Sequence, residues 1–583
     1  MRLGAKWAIA LICIVGALAA AVYRWPLNSA VVQADVNLTI SPRLGLHLRR
    51  PANSTFALLP WPTLRVVGLE LVDSEDHSVL SAPRANFPLA LTDLLRGKFV
   101  PLGATLGNPT AVIDLDAAPA AAEARALSRD HDEAPPALWS RVQLRGGLLR
   151  VVSASRHFDT LIENVDGALD WSAADKPLRL ALAGAWRDEM VTIEGKIDNP
   201  REGLGGRTTG LRLSVNAQPL TLSLDGAWSG GASGGFSGDL STRIQSLSAL
   251  RRLLGASSER LLADDALSID GKVQTKGDVI SLSDSRFELA GQTFDGALTL
   301  SPGAGRTAIS GTLAADSLRI DPLLPAAFTP FDEAGGWNSR PFAFGVPADL
   351  DLDLRVSVAH AEWRGHRIED AAGSLMCRDG RLTAKLLEAT AYQGALQGEL
   401  TLANGPAGLV ADLSGSGIDA DIGAALADFG WSAYRGHGGV KFSLHTSGAS
   451  AAQSIAALAG TASLDLQAGL VAGVNLEEAM RRSQRRPIDV SRDMASGQTA
   501  FSGAHAQFTV SEGIATIASG RVEGPGAVLA VEGRFNLAAR ELHARLVAAQ
   551  ADAQGAPSAD GARLTIVLSG PWSAPAVAAT PGG

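Results

Sequence analysis

Two cysteines in 583 residues, Cys13 and Cys377, leave no material for a disulfide framework or a cysteine-rich zinc module. Basic residues do not dominate either. The 51 Lys and Arg stand against 60 Asp and Glu, a net charge of −9, so the chain lacks the strongly basic face on which nucleic-acid binding rests. Aromatic residues make up only 5%, which argues against a string of compact sandwich cores. No Walker loop, zinc-protease helix or EF-hand loop is present. Beyond residue 23 no apolar stretch approaches the length of a membrane span. These absences predict a protein without catalytic residues, cofactor or metal, and without a nucleic-acid partner.

What is abundant is glycine, at 63 residues, in a chain that is 46% apolar and 19% charged. That composition reads as many short elements joined by many turns. Trp7 to Tyr23 is a run of seventeen residues without a charge. As a helix it would span roughly 26 Å, close to the hydrocarbon thickness of a bilayer. Arg2 and Lys6 precede it and Arg24 and Trp25 follow, which predicts a single anchor over residues 1–24 with the body exported. A cleavable signal is the alternative, since Ala19 to Ala21 offers a small-residue site.

The body alternates with period two. In Asp349 to Val358, residues Leu350, Leu352, Leu354, Val356 and Val358 share one face, and Asp349, Asp351, Asp353, Arg355 and Ser357 the other. The pattern returns at Leu211 to Val215, Leu220 to Leu224, Val440 to Leu444, Leu464 to Leu466 and Leu564 to Leu568, with glycines punctuating the runs. Helical spacing is confined to 246–262, 419–429 and 476–484; the last carries Arg481, Arg482, Arg485 and Arg486, read as a solvated face. The fold class predicted is mainly β: a long twisted antiparallel sheet with few short helices and one N-terminal transmembrane helix. Its divisions are an anchor (1–24), an N-terminal β region (25–116), a linker or insertion (117–138), a central body (139–430) and a C-terminal β region (431–583).

The chemical candidates are weak. Gly231 to Gly235 matches the nucleophile-elbow pattern but sits in Gly/Ser-rich sequence without a strand-to-helix turn. His360, Glu362 and His366, and the row Asp349, Asp351, Asp353, read as surface residues rather than metal ligands.

The order of features resembles the AsmA family of the Gram-negative envelope. The likeness lies in Leu64–Leu71, Ala82–Leu91, Leu94–Lys98 and Asn108–Asp114, then in Gly335–Ser339 leading into the Asp349 strand. It continues through Leu458–Ala462, Gly469–Leu476, Gln498–Phe501 and Glu512–Ile514, and closes on Ser569–Pro575. The stretch 117–136 departs from that pattern, which leaves the continuity of the sheet there open. The resemblance implies a sheet curled into an elongated groove, held to the inner membrane with its body in the periplasm, and linked to phospholipid transport and outer-membrane biogenesis. Outer-membrane assembly proteins are partners of the same origin. The residues supply an independent reason for lipid: a one-sided apolar sheet must cover its dry face, and acyl chains match it chemically. The groove candidates are Leu350, Leu352, Leu354, Val356, Val358, Leu464, Leu466, Leu564, Ile566 and Leu568. The alternatives are a non-transporting scaffold or regulator of outer-membrane protein assembly, an exported β-solenoid adhesin and a periplasmic hydrolase.

Overall fold

The computed structural model describes residues 15, 22–28, 30, 33, 47–49, 53–73, 77–96, 101–114, 141–153, 158–172, 176–230, 234–254, 266–303, 306–323, 330–332, 335–342, 345–363, 365–428, 432, 434–472, 475–483, 497–524, 526–551, 556–558 and 563–581. The predicted anchor and the 117–138 linker lie almost wholly or wholly outside these, as do the side chains of Arg481, Arg482, Arg485 and Arg486. Among the described residues no helix is long and apolar enough to cross a membrane. The protein is mainly β, and it divides into two compact units: residues 1–257, 265–287 and 299–305 in the first, 258–264, 288–298 and 306–583 in the second.

In the first unit Trp25–Leu27 pairs with Asn53–Ala57, which pairs with Thr63–Val72, which pairs with Ser78–Pro88, all antiparallel. A closed core sits here, with Leu48, Val66, Ala82, Ala85 and Leu106 each at most 2% exposed. Beyond it the strands Arg141–Ser153, Phe158–Asp170, Leu178–Trp186, Glu189–Ile197, Thr209–Ala217, Leu220–Ser229, Gly235–Ile244 and Leu267–Lys276 follow as antiparallel neighbours.

The second unit repeats the scheme with longer strands. From Leu350–Trp363 through His366–Arg378, Arg381–Ala391, Gly394–Gly405, Gly408–Asp421, Tyr434–Gly448 and Ala459–Ala472, each pairs antiparallel with the next. The series continues through Gly503–Ser511, Ile514–Gly524, Ala527–Asn536, Glu541–Gln550 and Arg563–Pro571 to Ala576–Pro581. Several hairpins close with two residues of positive φ, such as Asp379-Gly380 at 53° and 69°. That geometry matches the twist of the flanking strands and favours glycine at its second position.

One correction to the sequence reading emerges, and one open point is settled. The sheet is mixed, not purely antiparallel: Thr307–Arg319 runs parallel to Leu350–Trp363, and Ala104–Gly107 and Thr110–Asp114 both run parallel to Arg141–Ser153. In each case a connection of more than two dozen residues lets the chain return to the same end before the next strand begins, which a parallel pair requires. The open point follows from the parallel pairing. Pairing is uninterrupted across the 117–136 insertion, because strands before and after it are direct neighbours.

Four short helices at strand ends are opened by a capping side chain. Ser246 Oγ accepts from Ala249 N–H at 3.1 Å to begin Leu247–Leu254, and Asp421 Oδ1 accepts from Ala424 N–H at 2.9 Å to begin Ile422–Asp428. Asn475 Oδ1 accepts from Glu478 N–H at 3.1 Å to begin Leu476–Ser483. Ser450 opens Ala451–Ala456, a helix that apolar spacing does not reveal.

Candidate functional site

Directly opposed residues in neighbouring strands project to the same face. In the second unit that rule links Leu354 to Leu375, Ala384, Leu400, Leu413 and Leu444 in a single row. The next row contains Leu313, Val356, Gly373, Leu386, Gly398, Gly415 and Phe442. Glycine at 415 leaves room for the Phe442 ring: a Cβ there would lie 2.7 Å from Phe442 Cζ. The opposite face is polar, with Lys385 Nζ 3.5 Å from Glu399 and the Thr383 and Thr401 hydroxyls 3.3 Å apart.

The apolar face is covered at both strand ends and left partly open between them. At one end the described residues 330–332, 335–342 and 345–348 lie across the strands. Val346 N–H donates to Asn404 Oδ1 at 3.0 Å, and Asn404 Nδ2 donates back to Val346 O at 2.9 Å. Phe342 N–H donates to Ala449 O, and Ala452 N–H to Asn338 O. Trp337 Nε1–H donates to Leu537 O at 2.7 Å, and Trp337 stacks on Phe331. The Arg540 guanidinium lies over the rings of Phe331 and Trp572, at 5.5 and 5.3 Å. Beneath this strap Val346, Leu352, Cys377, Leu402 and Leu409 form a buried cluster. Burial, aided by the Asp351 charge, pushes the Cys377 thiol up, so the thiolate is disfavoured there.

At the other end two helices take the strap's place. Ile422 and Leu426 of Ile422–Asp428 pack with Tyr434, Phe501, Leu464 and Leu466. Asp428 closes that helix by accepting from Tyr392 Oη at 2.5 Å and meeting His366 Nε2 at 2.9 Å. Leu476 and Ala479 of Leu476–Ser483 pack on Leu529, Ala548, Leu564 and Ile566. Between the two borders Leu354, Leu375, Leu400 and Leu444 are half-buried and Leu413 is 40% exposed. This open band crosses six neighbouring strands, roughly 24 Å at the usual inter-strand spacing.

All ten residues singled out from the sequence lie on this one face. Register partners connect Leu464 through Val440 and Gly417 to Leu396, and Leu466 through Ala504, Val522, Leu529 and Ala548 to Leu564. Their surroundings differ. Leu354 and Val356 lie in the open band and Leu350 is half-buried at the strand's start. Leu352 is 8% exposed beneath the strap, and Val358 is 6% exposed opposite Ala315 and Ala371. Leu464 and Leu466 border the first helix, while Leu564 and Ile566 are 0% and 2% exposed under the second, with Leu568 beside them.

The sequence reading missed Leu375, Leu400 and Leu413. It missed also the row Leu182, Ile193, Val215 and Leu222 of the first unit, where each residue is half-buried. Alternation marks both sets, but the sequence reading singled out for it only Leu211 to Val215 and Leu220 to Leu224, and those as strands rather than as a dry face. On the polar face Asp349 and Asp353 are exposed, whereas Asp351 faces Arg306 Nη1 at 3.6 Å, and Arg306 also holds Asp379 at 2.7 Å. His360 and Glu362 are exposed, and His366 is engaged by Asp428. Among the described residues no group of three or more His, Cys, Asp or Glu side chains is placed to hold a metal ion.

A family model described as AsmA family matches residues 185–519. No curated protein and no solved structure matches the chain.

Proposed function

Because the chain belongs to the AsmA family, we propose that its one-sided sheet holds lipid acyl chains on the apolar face and lets them move along it. Family membership suggests an envelope role related to lipid transport. In the finer reading residues 1–24 anchor the protein once in the inner membrane and the body extends into the periplasm. The sheet curls into a long trough, and phospholipid passing along it contributes to outer-membrane biogenesis, with outer-membrane assembly proteins as partners. No bond is made or broken, so the protein is not an enzyme in this reading.

The observation that carries the reading is the band Leu354, Leu375, Leu400, Leu413 and Leu444. It is continuous and apolar, bordered at both strand ends, and left partly exposed among the described residues. Each methylene laid on such a surface contributes about 0.8 kcal/mol. The attraction is non-directional, and neighbouring positions along the row are chemically alike, so a bound chain can shift from one to the next without losing much contact. A photo-crosslinking side chain at Leu400 or Leu413 in the full chain, irradiated in cells, should give lipid adducts. The same side chain at Asp412, on the polar face, should not. Absence of lipid adducts from both apolar positions would overturn the proposal.

A further inference from the structure

The end of the first unit nearest the predicted anchor carries a cluster of large exposed apolar side chains. Its position follows from four registers. Trp25 opposes Phe56, Phe56 opposes Leu64, and Leu64 opposes Phe87, so these residues mark one end of four neighbouring strands. Two sets of connecting residues lie beyond that row: 58–62, and, after Pro88, residues 89–96 with the one-turn helix Leu91–Leu94, together with Pro101 and Leu102. They are tied together at their bases, since Leu89 N–H donates to Pro62 O and Leu102 N–H to Pro88 O, both at 2.8 Å. Trp61 is 76% exposed, Leu95 81% and Leu91 53%, and Leu102 at the base is 51% exposed. The core a few residues inward is dry, with Phe87 and Leu89 buried. The chain reaches this same end from its N-terminus, through Tyr23 at 59% and Trp25 at 49% exposure, their rings 5.2 Å apart edge to face.

Large apolar side chains gathered at one end of a domain are costly to leave in water and mark a contact surface. The occupant is indicated by what precedes Trp25: an uncharged apolar run from Trp7 to Tyr23 that ends where the cluster begins. Trp and Tyr favour the boundary between hydrocarbon and headgroups, and the neighbouring Arg24 and Arg96 are basic and exposed, as suits a headgroup layer. We propose that Trp61, Leu91, Leu95 and Leu102 dip into the lipid bilayer beside the anchor, so that this end of the sheet rests on the membrane surface. The contact rests on the reading of residues 1–24 as an anchor. It adds a second hold, which fixes the strand end of the first unit against the membrane instead of leaving it on a free tether.

The test uses the full chain with Cys13→Ala and Cys377→Ala, reconstituted in vesicles of phosphatidylethanolamine and phosphatidylglycerol. An environment-sensitive, thiol-reactive fluorophore is placed at Trp61→Cys, Leu95→Cys or Leu102→Cys in turn. Met190→Cys serves as reference, since Met190 is 64% exposed at the opposite end of the Leu178–Trp186 and Glu189–Ile197 hairpin. At positions 61, 95 and 102 emission should move to shorter wavelength and be quenched by brominated lipid, while position 190 stays unchanged. If the protein floats with the vesicles but positions 61, 95 and 102 report water as 190 does, the anchor stands and the dipping surface is refuted. Failure to float would remove the anchor and the proposal together. All three labelled positions are more than half exposed, so the substitutions leave the core intact.

Discussion

Leu352 and Leu413 lie on one sheet face, and the difference in their surroundings separates an open trough from a filled core. Leu352 is 8% exposed and packs with Val346, Cys377, Leu402 and Leu409. Truncating it to alanine should cost about 3 kcal/mol, within the range for a buried leucine whose neighbours cannot collapse into the space. Leu413 is 40% exposed in the open band. Full burial of such a side chain is worth about 1.5–3 kcal/mol, so the covered part of Leu413 contributes about 1–2 kcal/mol. Leu413→Asp loses that contribution and little more, because the carboxylate reaches water. With an acyl chain lying over it, the same carboxylate would have to shed its hydration, a penalty of several kcal/mol. Leu413→Asp should therefore stay folded and lose bound lipid, whereas Leu352→Ala should be the less stable variant and keep lipid while folded. Urea unfolding of the full chain, followed by mass spectrometry of extracted lipid, measures both. If Leu413→Asp is at least as destabilising as Leu352→Ala and the wild type carries no lipid, the face is a filled core. Undiminished lipid on a folded Leu413→Asp variant would also refute the reasoning.

Asn404→Ala removes the paired hydrogen bonds to Val346 and leaves the Val346 N–H and C=O in search of other partners, at a cost of about 1–3 kcal/mol. Amide exchange should accelerate around 342–347, with Trp337 to Leu537 still holding the far part of the strap; unchanged exchange would show that the pair does not secure it. Burial first, and then the Asp421 charge, push the Tyr434 phenol up to about 12. Its folded value lies above the unfolded value of roughly 10. This contribution to stability is thus complete below pH ~10 and is lost as pH rises through about 12. In a Tyr23→Phe, Tyr392→Phe variant the remaining phenol should ionise near the higher value by ultraviolet absorbance, and ionisation near 10 in the folded protein would contradict it.

Much of the fold was legible because one chemical signal, alternation, serves both as secondary structure and as a statement of which side is dry. Leu350 to Val358 shows this: the strand begins where the sequence places it, and its odd-numbered neighbours are the more exposed. Three helices were legible from their apolar spacing. Strand direction was not, since a strand alternates in the same way whether its neighbour runs with it or against it. Hence the parallel pairing of Thr307–Arg319 with Leu350–Trp363 had no signature beyond the long connection between them. The site was legible as a face and not as a surface with borders. The covering role of Phe331, Trp337 and Phe342 depends on Asn404, Ala449, Leu537 and Arg540, remote in sequence. For that reason Leu352 and Leu354, two residues apart and equivalent in the sequence pattern, came to lie under a cover and in the open band.

The strap also has a mechanical consequence. It is covalently continuous with the strand that begins at Leu350, and it is fastened in succession at Asn404, Ala449, Ala452, Leu537 and Arg540. Such a tie works in tension: it resists the strand ends beneath it fanning apart, whatever the load on the sheet. Among the described residues the opposite border has separate short helices and no equivalent tie, so that edge of the sheet is the less constrained of the two.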